Sequence, residues 1–274
     1  MPTPFYHLDI AENLLANPAL ASTIQQLLRG QRDAFLLGNT APDVQVVSRQ
    51  ERQATHFFRL PVRSNAQPPW ERLLGSHPSL AQPNRLPGAQ AAFIAGYLCH
   101  LQADLLWIVG IFVPVFGPDC HWETFSQRLY LHNVLRAYLD RQVIPVLAAD
   151  MADRLKAIQM NSWLPFVQDI HLSAWRDYIA GQLEPGAASE TVEVFASRQG
   201  LSPAEFYQLL ESEERMEQEV FVHLPRQQLD AYRQRLVESN LELLQGYFGL
   251  HNEPEYIQVT GLRAKSGSYD HQTV

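Results

Sequence analysis

GAQAAFIAGYLCHLQADLLWIVGIF, residues 88–112, is the stretch that decides the fold. It is too long for a strand and no proline interrupts it, so it reads as a helix. The apolar run from Ala91 to Phe116 is long enough to cross a membrane. An aspartate at the centre of a span costs roughly 2.5–3.5 kcal/mol, and His100 and Asp104 both sit near the middle. The run is therefore expected to be the buried core helix of a protein without a transmembrane segment. On that helix His100 and Asp104 are four residues apart and share a face with Phe93, Gly96, Trp107 and Ile111. The pair points inward, and Gly96, one turn earlier, leaves room for another group to come close. Burying a carboxylate among aromatics is costly unless a cation or several donors neutralise it. No Lys or Arg lies between Arg85 and Arg128. A zinc ion would answer, since imidazole and carboxylate are ordinary zinc ligands. A simple His–Asp hydrogen bond inside a helix bundle is the other reading.

Outward from this helix the pattern stays helical. His7, Ile10, Ala11, Leu14 and Leu15 fall at helical spacing before Asn17-Pro18, and a second helix stops near Gly30. Ala34–Leu37 is cut by Gly38, and residues 39–43 read as a loop. Six prolines between positions 60 and 90 mark a long irregular connection. Later helices are expected over 121–147, 151–166, 171–183, 202–216 and 225–248. No run of alternating strands and no internal repeat occurs, so the fold class is all-α. The division expected is a helical domain over 1–150, a helical extension packing on it over 151–262, and a mobile polar tail over 263–274.

Composition is that of a globular chain: 274 residues, 46% hydrophobic and 18% charged. The net charge of −8 argues against a nucleic-acid backbone as the main partner. All of it lies beyond residue 150, because eleven arginines balance eleven acidic residues before that point. An anion therefore approaches the N-terminal part more easily. Cys99 and Cys120 do not make a disulfide framework. The start, Met1-Pro2-Thr3-Pro4-Phe5-Tyr6-His7, has no basic or apolar leader region, and a cytoplasmic location is expected.

Company strengthens the helix pair. Asp43 follows Pro42 in a turn, where a loop carboxylate reaches a ligand or orients a water. His56 stands between Thr55 and Phe57, and His7 lies on an apolar helical face. On the helix 121–147, His132 faces inward with Phe125, Leu139 and Val143, and Asp140 lies at the edge of that face. His121 and Glu123 sit at its start. Arg128 and Arg136 are candidates for a substrate anion. His77, His171, His223 and His251 have no partners in sequence.

Taken in order, Pro4-Phe5-Tyr6-His7-Leu8, Gly38-Asn39-Thr40-Ala41-Pro42-Asp43, Thr55-His56-Phe57 and Gly96–Asp104 resemble the zinc-dependent phospholipase C family, grouped with the S1/P1-type nucleases. The resemblance covers roughly the first 140 residues. It implies a phospholipase C- or P1-nuclease-like helical bundle, with a first zinc on Asp43, His56, His100 and Asp104. A second or third zinc would draw on His7 and His132, with His121, Glu123, Asp140 and Arg136 as further metal or substrate contacts. The family's second helix pair has no counterpart, since His132 is followed four residues later by Arg136. The implied activity is metal-assisted hydrolysis of a phosphate diester or monoester, with Asp43 also serving as the base that orients water. A phosphate-ester small molecule or a phospholipid head group is the implied partner. Two other readings stand beside it: a metal hydrolase of single-stranded nucleic acid, and a metal-stabilised binding protein without catalysis. An HD-type phosphohydrolase is set aside, because no His-Asp dipeptide occurs.

Overall fold

Thr3 starts the first helix: its hydroxyl accepts the Tyr6 N–H, and Pro4 fills the first turn, where no N–H is needed. The computed structural model describes residues 1–62 and 66–249, and among them there is no strand. In chain order the α-helices are α1 (Pro4–Ala16), α2 (Ser22–Gly30), α3 (Arg32–Gly38), α4 (Gln45–Ser48), α5 (Arg52–His56), α6 (Pro69–Ser76) and α7 (Gly88–Trp107). They continue as α8 (Phe125–Val143), α9 (Met151–Ala157), α10 (Asp169–Gln182), α11 (Thr191–Gln199), α12 (Pro203–Leu210), α13 (Glu213–Arg215) and α14 (Arg226–Tyr247). The all-α expectation is met.

The helix read first is the axis of the molecule. Every α7 side chain from Ala91 to Asp104 is buried, and α3, α6 and α14 pack around it. Beyond Trp107 the chain continues in wider π-helical turns over Ile108–Phe116, which accommodate Pro114. The segment Gly88–Phe116 is long and apolar enough to span a membrane, yet 61% of its most apolar window is buried against the rest of the chain. One contiguous apolar core runs from Phe5 to Tyr247 and takes residues from both sides of position 150.

Two glycines set how closely α3 meets α7. A Cβ on Gly38 would lie 2.0 Å from the Phe93 carbonyl oxygen, and a Cβ on Gly96 would lie 2.2 Å from that of Phe35. Side chains there would hold the helices apart.

Several boundaries differ from the sequence reading. Residues 41–44 form a 3₁₀ turn, not open loop, and the proline-rich 60–90 segment contains α6 and further 3₁₀ turns. Pro at N1 of each short helix seeds it rather than breaking it. The helix expected over 151–166 ends at Ala157, and α11 was not expected at all. Its short apolar set, Val192, Phe195 and Ala196, finds its partners in α8 and α12. The end of the expected extension, the tail over 263–274 and His251 lie outside the described residues.

Candidate metal centre

Five side chains from four elements meet beside α7. α1 brings His7, the 3₁₀ turn brings Asp43, α5 brings His56, and α7 brings His100 and Asp104. One set of potential ligand atoms comes from His7, His100 and Asp104, another from Asp43, His56 and His100; within each set all atoms lie within 4.8 Å of one another.

Each local structure aims a particular nitrogen. Because Gly96 admits α3, the Asn39 carbonyl oxygen comes within 2.7 Å of His100 Nδ1 and accepts its proton. That bond leaves the Nε2 lone pair facing the cluster. The Thr55 hydroxyl lies 3.0 Å from His56 Nδ1 and has the Arg52 carbonyl at 3.2 Å as its own acceptor, so the ring Nδ1–H donates to it. Tyr97 donates its hydroxyl to the Thr55 carbonyl at 2.5 Å, fixing α5 on α7. Phe57 closes α5 at φ 59°, turning the chain away immediately after His56. The His7 ring stacks on His100 at 3.8 Å between centroids.

The inward atoms are then left without partners. His7 Nε2, His56 Nε2, His100 Nε2 and Asp104 Oδ1 are all buried and none has a hydrogen bond. Their contacts are too long to be hydrogen bonds: His7–Asp104 3.5 Å, His56–Asp43 and His56–Asp104 3.4 Å, His100–Asp104 3.7 Å. They match the ligand-to-ligand edges of a tetrahedral zinc, which are about 3.3 Å for bond lengths of about 2.0–2.1 Å. Three unpartnered imidazole nitrogens and a carboxylate oxygen, converging in the interior, fit a divalent cation.

Protonation states agree with that. Burial pushes the His7 imidazole down to about 4 and also lowers His56, so both rings are neutral near pH 7. For Asp104, burial works against the charged form. The facing His100 ring, the His7 contact and the Arg52 guanidinium outweigh it and hold the carboxyl well below the usual range. Asp43 is likewise held low, burial being outweighed by His56 and His100. Its side chain is 19% exposed and looks into a cavity, whereas Asp104 is 2% exposed.

Arg52 is the residue the sequence reading missed. It donates to Asp104 Oδ2 at 2.6 Å, so the buried aspartate has a basic neighbour after all, brought from another helix. Arg52 is four residues before His56, and that spacing on one helix face was a usable signal.

The second helix of the reading does not join the cluster. His132 is buried as expected, but its Nε2 accepts the Trp107 indole N–H at 2.9 Å within a shell of Trp107, Phe112 and Phe116. His121 and Glu123 are exposed, and Glu123 has φ 50° in the loop before α8. Asp140 is buried away from the cluster, accepting the Thr3 hydroxyl and, at 2.6 Å, that of Thr191. Arg128 spends its guanidinium on the carbonyls of Trp122 and Glu123, at 2.8 and 2.6 Å, which ties down the preceding loop. Arg136 lines the cavity that Asp43 faces, without reaching the cluster. His77 stacks on Phe166 and His223 on Trp122, both structural contacts.

The family model described as zinc dependent phospholipase C matches residues 6–180, more than half of the chain. The chain belongs to the zinc-dependent phospholipase C family. The match extends beyond the motifs of the first 140 residues and takes in most of α10, whose Trp175 donates to the Thr40 carbonyl at 2.9 Å behind Asp43. All five gathered side chains lie within the matched span, as does Arg52. No curated protein and no solved structure gave a match. Membership in the zinc-dependent phospholipase C family and the unpartnered His and Asp atoms support zinc as the group these residues hold.

Proposed function

We propose that this chain hydrolyses phosphate esters, phosphodiesters foremost, at a zinc centre made by Asp43, His56, His100, Asp104 and His7. One observation carries the reading: three unpartnered imidazole Nε2 atoms and a carboxylate oxygen converge in the interior, next to an aspartate that opens onto a cavity. Zinc, when bound, supplies positive charge that acidifies water and stabilises a phosphoryl group under attack. The chain's own residues do the rest. Asn39 and Thr55 lock two imidazoles in the tautomer that binds a cation. The closed interior around His7, His56 and His100 excludes bulk water and strengthens every charge in the site. Asp43, ionised and partly exposed, accepts a hydrogen bond from an attacking water at the mouth and orients it.

The test is metal analysis and turnover on the same preparation. Purified protein is expected to hold at least one zinc per chain and to cleave a soluble phosphodiester. His100→Ala, which removes the nitrogen shared by both ligand sets, is expected to lose both properties. A metal-free His100→Ala preparation with wild-type turnover would sink the proposal. The Arg52–Asp104 ion pair favours a second reading, a metal-stabilised binding protein, because it ties down a carboxylate oxygen that catalysis could use. Full zinc content with no turnover on any phosphate ester would select it.

A further inference from the structure

Next to Asp43 lies a cavity of about 190 Å³, with one apolar wall that includes Val46, Ile179 and Phe195. Its charged lining is Asp43, Arg52, Arg136, Glu190 and Arg198. Among the three guanidinium groups Arg136 stands apart. Arg52 is paired with Asp104, and Arg198 sits exposed at the rim. Arg136 has no carboxylate within ion-pair reach among the described residues. Its one side-chain acceptor is the neutral Asn133 Oδ1 at 3.1 Å, its Cζ lies 4.3 Å from the Phe195 ring centre, and its Nε is buried with no partner.

The acids that could have paired with it are engaged elsewhere. Asp140 is taken by two hydroxyls, Glu190 by the Tyr178 hydroxyl at 3.0 Å, and Asp43 and Asp104 face the imidazole cluster. Burial pushes the Arg136 pKa down to about 10, so it still carries its charge at neutral pH. A half-buried guanidinium whose buried Nε has no partner, and which no carboxylate reaches within ion-pair distance among the described residues, is a cost that the fold bears alone. An anion entering the cavity would remove it, and a guanidinium fork suits the tetrahedral oxygens of phosphate.

We propose that Arg136 is a substrate-binding residue, which receives the phosphate group of the ester in the cavity between Asp43 and Phe195. This deepens the hydrolase reading and rests on it for the word substrate; the anion site itself stands on the geometry of the cavity. A soluble phosphate ester and a lipid head group present the same group to the same fork.

The test is calorimetric titration of the zinc-loaded full chain with inorganic phosphate, repeated on Arg136→Gln, Arg136→Lys and Arg198→Gln. Saturable binding by the wild type is expected. Arg136→Gln should weaken it at least tenfold with zinc content unchanged, Arg136→Lys should recover part, and Arg198→Gln should stay within about twofold. No saturable binding by the wild type, or wild-type affinity in Arg136→Gln, overturns the proposal. Parallel titrations with glycerophosphocholine and with phosphatidylcholine vesicles assign the source: the ligand whose affinity depends on Arg136 is the one the cavity takes. Should Arg136→Gln not fold, phenylglyoxal labelling of the wild type replaces it. Phosphate must protect Arg136 from the reagent by mass spectrometry, and an unprotected Arg136 is refuting. Zinc content separates the two levels: phosphate binding through Arg136 without zinc leaves the cavity site standing and removes the hydrolase reading.

Discussion

Gly96→Ala tests how the centre is built without touching a ligand. The added Cβ would lie 2.2 Å from the Phe35 carbonyl oxygen and 2.8 and 2.9 Å from Asn39 Nδ2 and N. The Phe35 contact must lengthen by about 1.2 Å to reach ordinary van der Waals distance at 3.4 Å. Two of the three atoms are backbone, so α3 has to shift as a unit. Overpacking of this kind costs roughly 1–3 kcal/mol, and backbone obstruction places Gly96→Ala at the upper end. The better helix propensity of alanine returns only about 1 kcal/mol. A net loss of about 2 kcal/mol corresponds to a fall in Tm of roughly 4–8 °C for a chain of this size. The same shift stretches the 2.7 Å bond from His100 Nδ1 to the Asn39 carbonyl. Losing such an outer contact weakens metal binding by about 10–100-fold. The assays are calorimetric melting and zinc competition against a chromogenic chelator. Gly181→Ala is the control, because nothing lies within 4 Å of its added Cβ. If Gly96→Ala melts with the wild type and binds zinc as tightly, the close approach of α3 does not organise the centre.

Two further outcomes follow from the same geometry. His7→Ala leaves the Asp43–His56–His100 set intact, so it should retain more zinc per chain than His100→Ala; equal zinc content in the two variants, by elemental analysis, contradicts the shared role of His100. Burial raises the Asp140 carboxyl to about 7, with hydroxyl donors and Arg136 only partly offsetting it. Between about pH 4 and 7 the folded state then holds a proton that the unfolded state has lost, so this group's stabilisation is complete at low pH and disappears as pH rises through 7. The ceiling is about 4 kcal/mol for a shift of about three units. Asp140→Asn removes the slope, so its urea midpoint should rise relative to wild type between pH 5 and pH 8; a constant difference refutes the assignment.

The His100–Asp104 spacing and its inward face were legible in sequence, because helix geometry puts residues four apart on one side whatever the rest of the chain does. The apolar company of the pair announced burial for the same local reason. Asp43 and His56 were legible as members of an ordered set, without any indication of distance. His7 was expected to serve a second metal, and the structure groups it with His100 and Asp104 and stacks its ring on His100, a contact between residues 93 positions apart. His132 shows the limit from the other side: its inward face was correct, but its nitrogen met Trp107.

Arg52 and Arg136 mark the boundary most clearly. In sequence Arg136 stood with Arg128 as a candidate for a substrate anion, and Arg52 was not singled out. Packing gave Arg52 to Asp104, Arg128 to backbone carbonyls, and Arg136 to a cavity with no counter-ion among the described residues. Local periodicity determined the core helix, the buried His–Asp pair and the all-α class, since these depend on neighbours within a few turns. Which lone pairs converge, which cation neutralises which carboxylate and which charge is left for a ligand depend on helix approach. Gly38 and Gly96 permit that approach, but only the assembled core carries it out.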